Sequence, residues 1–447
     1  MSENKIGALD EARVKQIKKA YDKDAKNQII RHALSRSSLS DISYVSSSLP
    51  GVVPHFSVEV KTLPAANQKQ SGRCWIFAAL NILREQIAKE LKLKSFELSQ
   101  NYISLYDKIE KANFALENMI DLADKDHDDR VLQFLLFSPV SDGGQWDMFV
   151  NLVEKYGLLP KDAFPETQQS NGTRESNQLV NAAIRKFAHD AHALALAGKK
   201  DEIRPLKEKV MDKIYAMYLN CFGVPPKKFD FEYEDEKGKY HIIRGLTPKS
   251  FFEKYVGDEI YEYQSLINSP TEDKPYGKNF TIDNLGNVLE GRGINHLNLP
   301  MERLKEVIIA QLKDGLPVWF GSDVGFYRDR GSYAWDSNAF DFESTVGFPL
   351  EFDKGDMLDY RHSAMNHAMC ITGVDIVGGV PTKWKIENSW GEDNGLKGYY
   401  VMSKEFFDKF VYQAVVLKKY LTEEERKACL EKPIHLPIWD PMGTLAD

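Results

Sequence analysis

The run Asn67-Gln68-Lys69-Gln70-Ser71-Gly72-Arg73-Cys74-Trp75-Ile76-Phe77-Ala78-Ala79-Leu80 gives the rest of the chain its frame. Beyond Gly72 the apolar residues Ile76, Leu80, Leu83, Ile87 and Leu91 fall three or four apart, which is one face of a helix. Cys74 then sits in the first turn, where unpaired backbone N–H groups and the positive end of the helix dipole favour a thiolate. Gln68 lies shortly upstream in a polar approach. Its side-chain amide is a candidate to hold a developing oxyanion beside the Cys74 N–H.

A cysteine nucleophile needs a proton acceptor and a group to orient it. The C-terminal third supplies candidates in Asn366-His367-Ala368-Met369 and in Glu387-Asn388-Ser389-Trp390-Gly391. Between them run two β-rich segments, Cys370 to Val377 and Val380 to Ile386, separated by Gly378-Gly379, which reads as a hairpin. A two-residue loop there places His367 opposite Trp390, with Asn388 a diagonal neighbour on the same face. Spacing alone thus predicts an imidazole, an amide and an indole together. Pro381 and a bulge are the points where that register would slip.

These residues resemble the papain-like cysteine peptidases. The fuller wording Ser71-Gly72-Arg73-Cys74-Trp75, Gly143-Gly144-Gln145-Trp146-Asp147 and Trp439-Asp440-Pro441-Met442-Gly443 resembles a narrower branch, the bleomycin hydrolase and bacterial aminopeptidase C family. The resemblance implies an α+β fold, a two-lobed papain-like peptidase with one helical and one β-rich lobe, carrying a largely helical insertion and N- and C-terminal arms. It assigns Cys74, His367 and Asn388 as catalytic, Gln68 to the oxyanion, Trp390 as a shield of the His–Asn bond, and Gly143 and Gly144 to a peptide-binding strand. Two departures from ordinary papain-like enzymes belong to the narrower branch. Ser71 stands where secreted relatives have a disulfide-forming cysteine, and His367 follows Cys74 by far more than the ~130–150 residues usual for them.

Composition bounds the alternatives. The 447 residues are 43% hydrophobic and 28% charged, enough for a sizeable core and roughly two or three domains by length alone. Cys74, Cys221, Cys370 and Cys429 are too irregularly spaced for a disulfide framework or a zinc site, which points to a reducing, cytoplasmic setting. A net charge of −8 argues against a globally basic nucleic-acid surface. No apolar run approaches the ~18 residues of a membrane span, and the start Met1-Ser2-Glu3-Asn4-Lys5 lacks a hydrophobic signal core. No cofactor is expected.

Five regions follow: an N-terminal arm (1–60), a helical lobe with the cysteine (61–165), a mainly helical insertion (166–260) that the resemblance implies is an oligomer interface, a β-rich lobe (261–420) and a C-terminal arm (421–447) reaching the cleft. In the insertion Leu206, Val210, Ile214, Met217 and Cys221 make an apolar stripe, so Cys221 reads as core. Phe326 to Tyr360 reads as a long surface loop. His189 and His192 lack metal-ligand partners, and Met365 is a candidate for lining the pocket of a substrate's second side chain.

The tail is unusual. Pro433, Pro437 and Pro441 recur at intervals of four among apolar residues, which forbids helix and favours an extended strap. The resemblance implies that Gly443 to Asp447 lie in the substrate cleft, with Ala446 and Asp447 as substrate-binding residues and the terminal carboxylate holding a peptide's α-ammonium. It also implies a homohexamer acting on peptide substrates. An endopeptidase on the same scaffold, and a non-catalytic ring that binds peptide or nucleic acid, are the competing readings.

Overall fold

The computed structural model describes residues 7–325, 327–329 and 331–446. Helices α1 (Glu11–Lys23), α2 (Ala25–Leu34) and α3 (Leu39–Ser43) open the chain. The first two bury no side chain and rely on caps, with Asp10 accepting from Arg13 N–H and Asp24 from Lys26 N–H. After strand β1 (Val58–Glu59) comes α4 (Cys74–Leu91), beginning at the cysteine as the spacing predicts.

The sequence shows one apolar face on α4, yet every residue from Cys74 to Arg84 is buried. The reason is placement, since α4 packs on the sheet and is covered by α5 (Gln100–Asp121) and, past α6 (Arg130–Phe137), by α7 (Trp146–Tyr156). Two polar side chains on α4 are carried inside with it. Asn81 and Arg84 both donate to Glu387 Oε1 at 2.9 Å, and Arg84 also donates to the carbonyls of Leu63 and Pro64. Breaking such a buried pair from one side typically costs about 3–5 kcal/mol, so it ties the helical half to the sheet.

Next come α8 (Gln168–Asn171), α9 (Arg174–Leu196), α10 (Ile203–Phe222), the hairpin β2 (Phe229–Glu234) and β3 (Tyr240–Leu246), and α11 (Pro248–Tyr255), capped by Thr247. The buried face of α10 is offset from the expected stripe, being formed by Ile203, Lys207, Ile214, Tyr218 and Phe222. Cys221 is accordingly half-buried at the edge. The aromatic rings of Tyr218 and Phe222 claim the core, and the smaller apolar residues flank them.

The large sheet uses β4 (Tyr263–Ile267), β5 (Asn279–Ile282), β6 (His296–Asn298), β7 (Val318–Ser322), β8 (Ala334–Trp335), β9 (His367–Val377), β10 (Val380–Glu387), β11 (Tyr399–Ser403), β12 (Val411–Leu417) and β13 (Ile434–Leu436), with α12 (Met301–Lys313), α13 (Phe342–Val346), α14 (Lys354–Asp359), α15 (Lys404–Phe410) and α16 (Glu423–Ala428) between them. Its order is β13-β5-β6-β4-β12-β7-β9-β10-β11-β8, with β1 on β9. Strand β9 alternates between two cores. Ala368 and Cys370 face the helical half, while Met369 and Ile371 face a second core built with α12 and α15.

The β9–β10 turn is Gly378-Gly379, with φ of 59° and 86°, the left-handed values a two-residue hairpin loop demands. Register slips between Pro381 and Lys383 and slips back between Lys385 and Ile386, so Glu387 still pairs with Cys370. The two irregularities cancel, and the expected pairing survives at the His367 end. One expectation is overturned nearby. The described residues of 326–360 include β8, α13 and α14, and Trp335, Phe342, Met357 and Leu358 are buried. Aromatic residues without periodicity here anchor short elements instead of decorating a surface loop.

Candidate active site

Cys74 is 5% exposed at the first position of α4. The residue before it is clamped: Arg73 Nε donates to Ser71 Oγ at 2.8 Å, and its guanidinium pairs with Glu166 at 3.0 Å. The sulfur accepts the Ala368 N–H at 3.4 Å and lies 4.0 Å from the Gly72 carbonyl. Ala368 adjoins His367, so the helix start meets the histidine strand at this point.

His367 Nε2 and Asn388 Oδ1 are 2.8 Å apart, and the same oxygen accepts the Ser389 N–H at 2.7 Å. An amide oxygen only accepts, so Nε2 carries a hydrogen and Nδ1 is the nitrogen left to exchange a proton. The Trp390 indole stacks on the imidazole with centroids 4.9 Å apart, and the Arg328 guanidinium lies 4.4 Å over that indole. The trio read from hairpin spacing is therefore assembled.

Two effects compete at the sulfur. Backbone N–H groups of Ala368, Trp75 and Cys74 favour the thiolate, but burial is the larger effect and pushes the Cys74 thiol up to about 11. Burial likewise pulls His367 down to about 4, with the Asn388 bond opposing it and Arg328 adding to it. The two groups together thus hold one proton across the whole interval between those values, whichever atom carries it.

Gln68 is fixed from the opposite lobe. Its N–H donates to the Ser389 carbonyl at 2.8 Å, its side-chain Nε2 donates to the Ser71 carbonyl at 2.7 Å, and Ser71 Oγ returns a bond to the Gln68 carbonyl at 2.6 Å. Both glycines of Gly143-Gly144 are required by contact. A Cβ on Gly143 would lie 2.3 Å from the Leu445 carbonyl oxygen, and one on Gly144 would lie 2.5 Å from the Trp75 ring. The Gly144 N–H donates to the Leu445 carbonyl at 3.0 Å, so the chain's own tail lies along this backbone.

Two expectations change here. The end of the tail is a tight 3-10 turn, Pro441–Ala446, and not an extended strap, because Asp440 caps it by accepting the Met442 N–H at 2.8 Å. Only Ile434–Leu436 is extended, and it pairs with β5. Met365 does not offer its side chain, which is fully buried against Gly321; its carbonyl accepts the Thr444 hydroxyl at 2.8 Å. Ser141 Oγ donates to the Ala446 carbonyl at 2.5 Å and Gln145 Nε2 to the Met442 carbonyl at 3.2 Å. Ala446 is buried in the groove, and Asp447 lies outside the described residues.

Sequence reasoning missed Ser141 and Asp142, which directly precede the glycine pair in the order Ser141-Asp142-Gly143, and Glu387, which adjoins Asn388. Polar residues carry no periodic signal that would single them out. His192 Nδ1 bonds the Ala123 carbonyl at 2.9 Å, and among the described residues no group of three His, Cys, Asp or Glu is placed to hold a metal ion. No helix among them is long and apolar enough to cross a membrane.

A cysteine heading a buried helix, facing a strand whose histidine is bonded to an asparagine and stacked under a tryptophan, defines the class: a papain-like cysteine peptidase. The chain belongs to the Peptidase C1-like family, whose model matches residues 8–443. It is 51% identical to an aminopeptidase C of Lactobacillus delbrueckii subsp. lactis, covering 88% of each chain, and 40% identical to a bleomycin hydrolase of Mus musculus, covering 86% of each. The crystal structure of pepw from Lactobacillus rhamnosis superposes with a TM-score of 0.94 at 44% identity, covering 98% of this chain and 99% of that one.

Proposed function

We propose that this chain is a cysteine aminopeptidase, releasing residues one at a time from the free amino end of peptides, with broad specificity that extends to amides of the bleomycin type. In this reading the Cys74 proton passes to His367 Nδ1 as the sulfur attacks the scissile carbonyl. Gln68 Nε2 and the Cys74 N–H receive the oxyanion; removing one such donor typically costs about 10²–10³ in rate. The imidazolium then protonates the leaving amine, and water cleaves the thioester by the reverse path. Asn388 holds the ring in the tautomer this requires, and Trp390 keeps water from that bond.

The observation that carries the reading is the Leu445 carbonyl on the Gly144 N–H. That amide would otherwise pair with the substrate, as in strand addition. With residues 441–446 seated there, only a short stretch of peptide fits ahead of the scissile bond. The test compares N-acetylated with free-amine substrates: the free amine should be cleaved and the blocked one refused, and equal cleavage would favour the endopeptidase. Labelling by a thiol-directed epoxide, lost in Cys74→Ala together with hydrolysis, separates either enzyme from a non-catalytic ring.

A cytoplasmic setting is part of the proposal, supported by four free cysteines. So is a homohexamer, supported by α1 and α2, whose Val14, Ile17 and Ile29 are exposed.

A further inference from the structure

The Gly143-Gly144 backbone and the approach to Cys74 come from segments 70 positions apart, and one carboxylate joins them. Asp142 Oδ2 accepts the Gly72 N–H at 2.8 Å and the Thr173 hydroxyl. Its Oδ1 accepts Lys108 Nζ at 2.6 Å and Asn177 Nδ2 at 2.8 Å. The Asp142 carbonyl takes the Trp75 indole N–H at 2.7 Å. Each carboxylate oxygen thus has two donors, and the donors come from the loop before α4, from α5 and from the start of α9. The fit is close, since a Cβ on Gly72 would lie 2.7 Å from that of Asp142.

We propose that Asp142 is a positioning residue for the reaction: it fixes the Gly143-Gly144 backbone relative to Cys74 and, through Thr173 and Asn177, makes that spacing depend on α9. This rests on the proposed function, in which Cys74 reacts and Gly144 receives peptide. Misplacing a reacting group by about 1 Å costs on the order of 10² in rate, and besides the Trp75 indole, which adds one bond from the cysteine side, Asp142 is the side chain that ties these two segments together. The charge matters as well as the shape. Burial pushes the Asp142 carboxyl up, but Lys108 and the further donors overcome it and hold the group well below the usual carboxylate range. Arg73, Lys111, Tyr218 and Cys74 are the other titratable groups within its field, and toward Cys74 its negative charge opposes the thiolate.

The test is Asp142→Asn, nearly equal in size but unable to accept at all four positions. Its kcat on a free-amine peptide should fall by about 10- to 100-fold while KM changes much less. The pH curve for alkylation of Cys74 by iodoacetamide should move to lower pH, because a negative charge has gone and Lys108 remains. A residue that merely supports the fold would lower the melting temperature and leave kcat of the folded variant at the wild-type value, with or without movement of that curve. Folded Asp142→Asn with wild-type kcat overturns the proposal. Should this variant not accumulate as folded protein, Asn177→Ala decides: a fall in kcat of about threefold or more with the alkylation curve displaced upward supports it, and a wild-type kcat overturns it. If the wild-type protein hydrolyses no peptide, the functional reading fails separately, and the alkylation curves still decide whether the charge of Asp142 acts on the sulfur.

Discussion

The two ends of this chain both leave the body as appendages, and they are treated oppositely. At the front, α1 and α2 bury nothing and are held by their own caps. At the back, Leu436, Ile438, Met442, Leu445 and Ala446 are buried, and the carbonyls of Met442, Leu445 and Ala446 each find a donor on the segment 141–145. Both ends carry apolar side chains. What differs is whether the body presents donors for the backbone, because a carbonyl buried without one loses about as much as an apolar side chain gains. The tail can therefore enter the groove as a ligand would, and the front helices, whose backbone is satisfied internally, remain outside.

The strongest way to break this comparison is to remove the tail. Deleting residues 444–447 should lower the preference for free-amine over N-acetylated peptide by about 100-fold, the scale of one charge-assisted bond of about 1.5–3 kcal/mol; an unchanged ratio would show that the tail has no part in selection. Next in size is a matched pair of truncations. Met442→Ala, at a side chain with no exposure, should weaken tail docking by about 2 kcal/mol or more, read from amide hydrogen exchange at Thr444 to Ala446. Ile29→Ala, on the exposed face of α2, should alter urea stability by less than about 0.5 kcal/mol at concentrations where the protein is monomeric. Equal effects would erase the contrast.

Gly143→Val tests the same contact from the other side. The Leu445 carbonyl must yield to the new Cβ, so N-acetylated substrates should gain relative cleavage by about tenfold at most, with the fold intact by circular dichroism. The smallest effect is on pH. Lys274 pairs with Asp440 at 2.9 Å at the head of the tail's turn. Burial pulls its ammonium down, but bonds to Asp273 and Asp440 outweigh this and raise it above the usual lysine value. A raised folded-state value means that its contribution is fully present below about 10.4 and is lost as pH rises through the folded value. Tail protection against carboxypeptidase should accordingly be flat through neutral pH and decline only in strong alkali, and Lys274→Met should remove that decline.

Much of the site was legible because periodic signals reach it from both sides. The stripe from Ile76 to Leu91 located the start of α4, and the glycine turn fixed which residues meet His367. What stayed hidden was aperiodic. Asp142 and Glu387 act through hydrogen bonds that no spacing announces. On α10 the apolar stripe alone does not locate the buried face, because Tyr218 and Phe222 fill space that Val210 and Met217 cannot. In the tail, the spacing of the prolines argues against any helix. Pro441 in fact begins the closing 3-10 turn, where a missing N–H costs nothing.

The paired slips in the β9–β10 hairpin bear on how this chain can vary. Asn388 meets His367 only because an offset taken up at Pro381 is returned before Glu387. Substitution anywhere along that stretch leaves the count of residues alone. Losing or gaining a single residue between the turn and Glu387 does not, since one step along a strand sends each later side chain to the opposite surface. Descendants of this gene can thus change the exposed letters of β10, but can change its length only with a matching change on β9, so that Asn388 still meets His367.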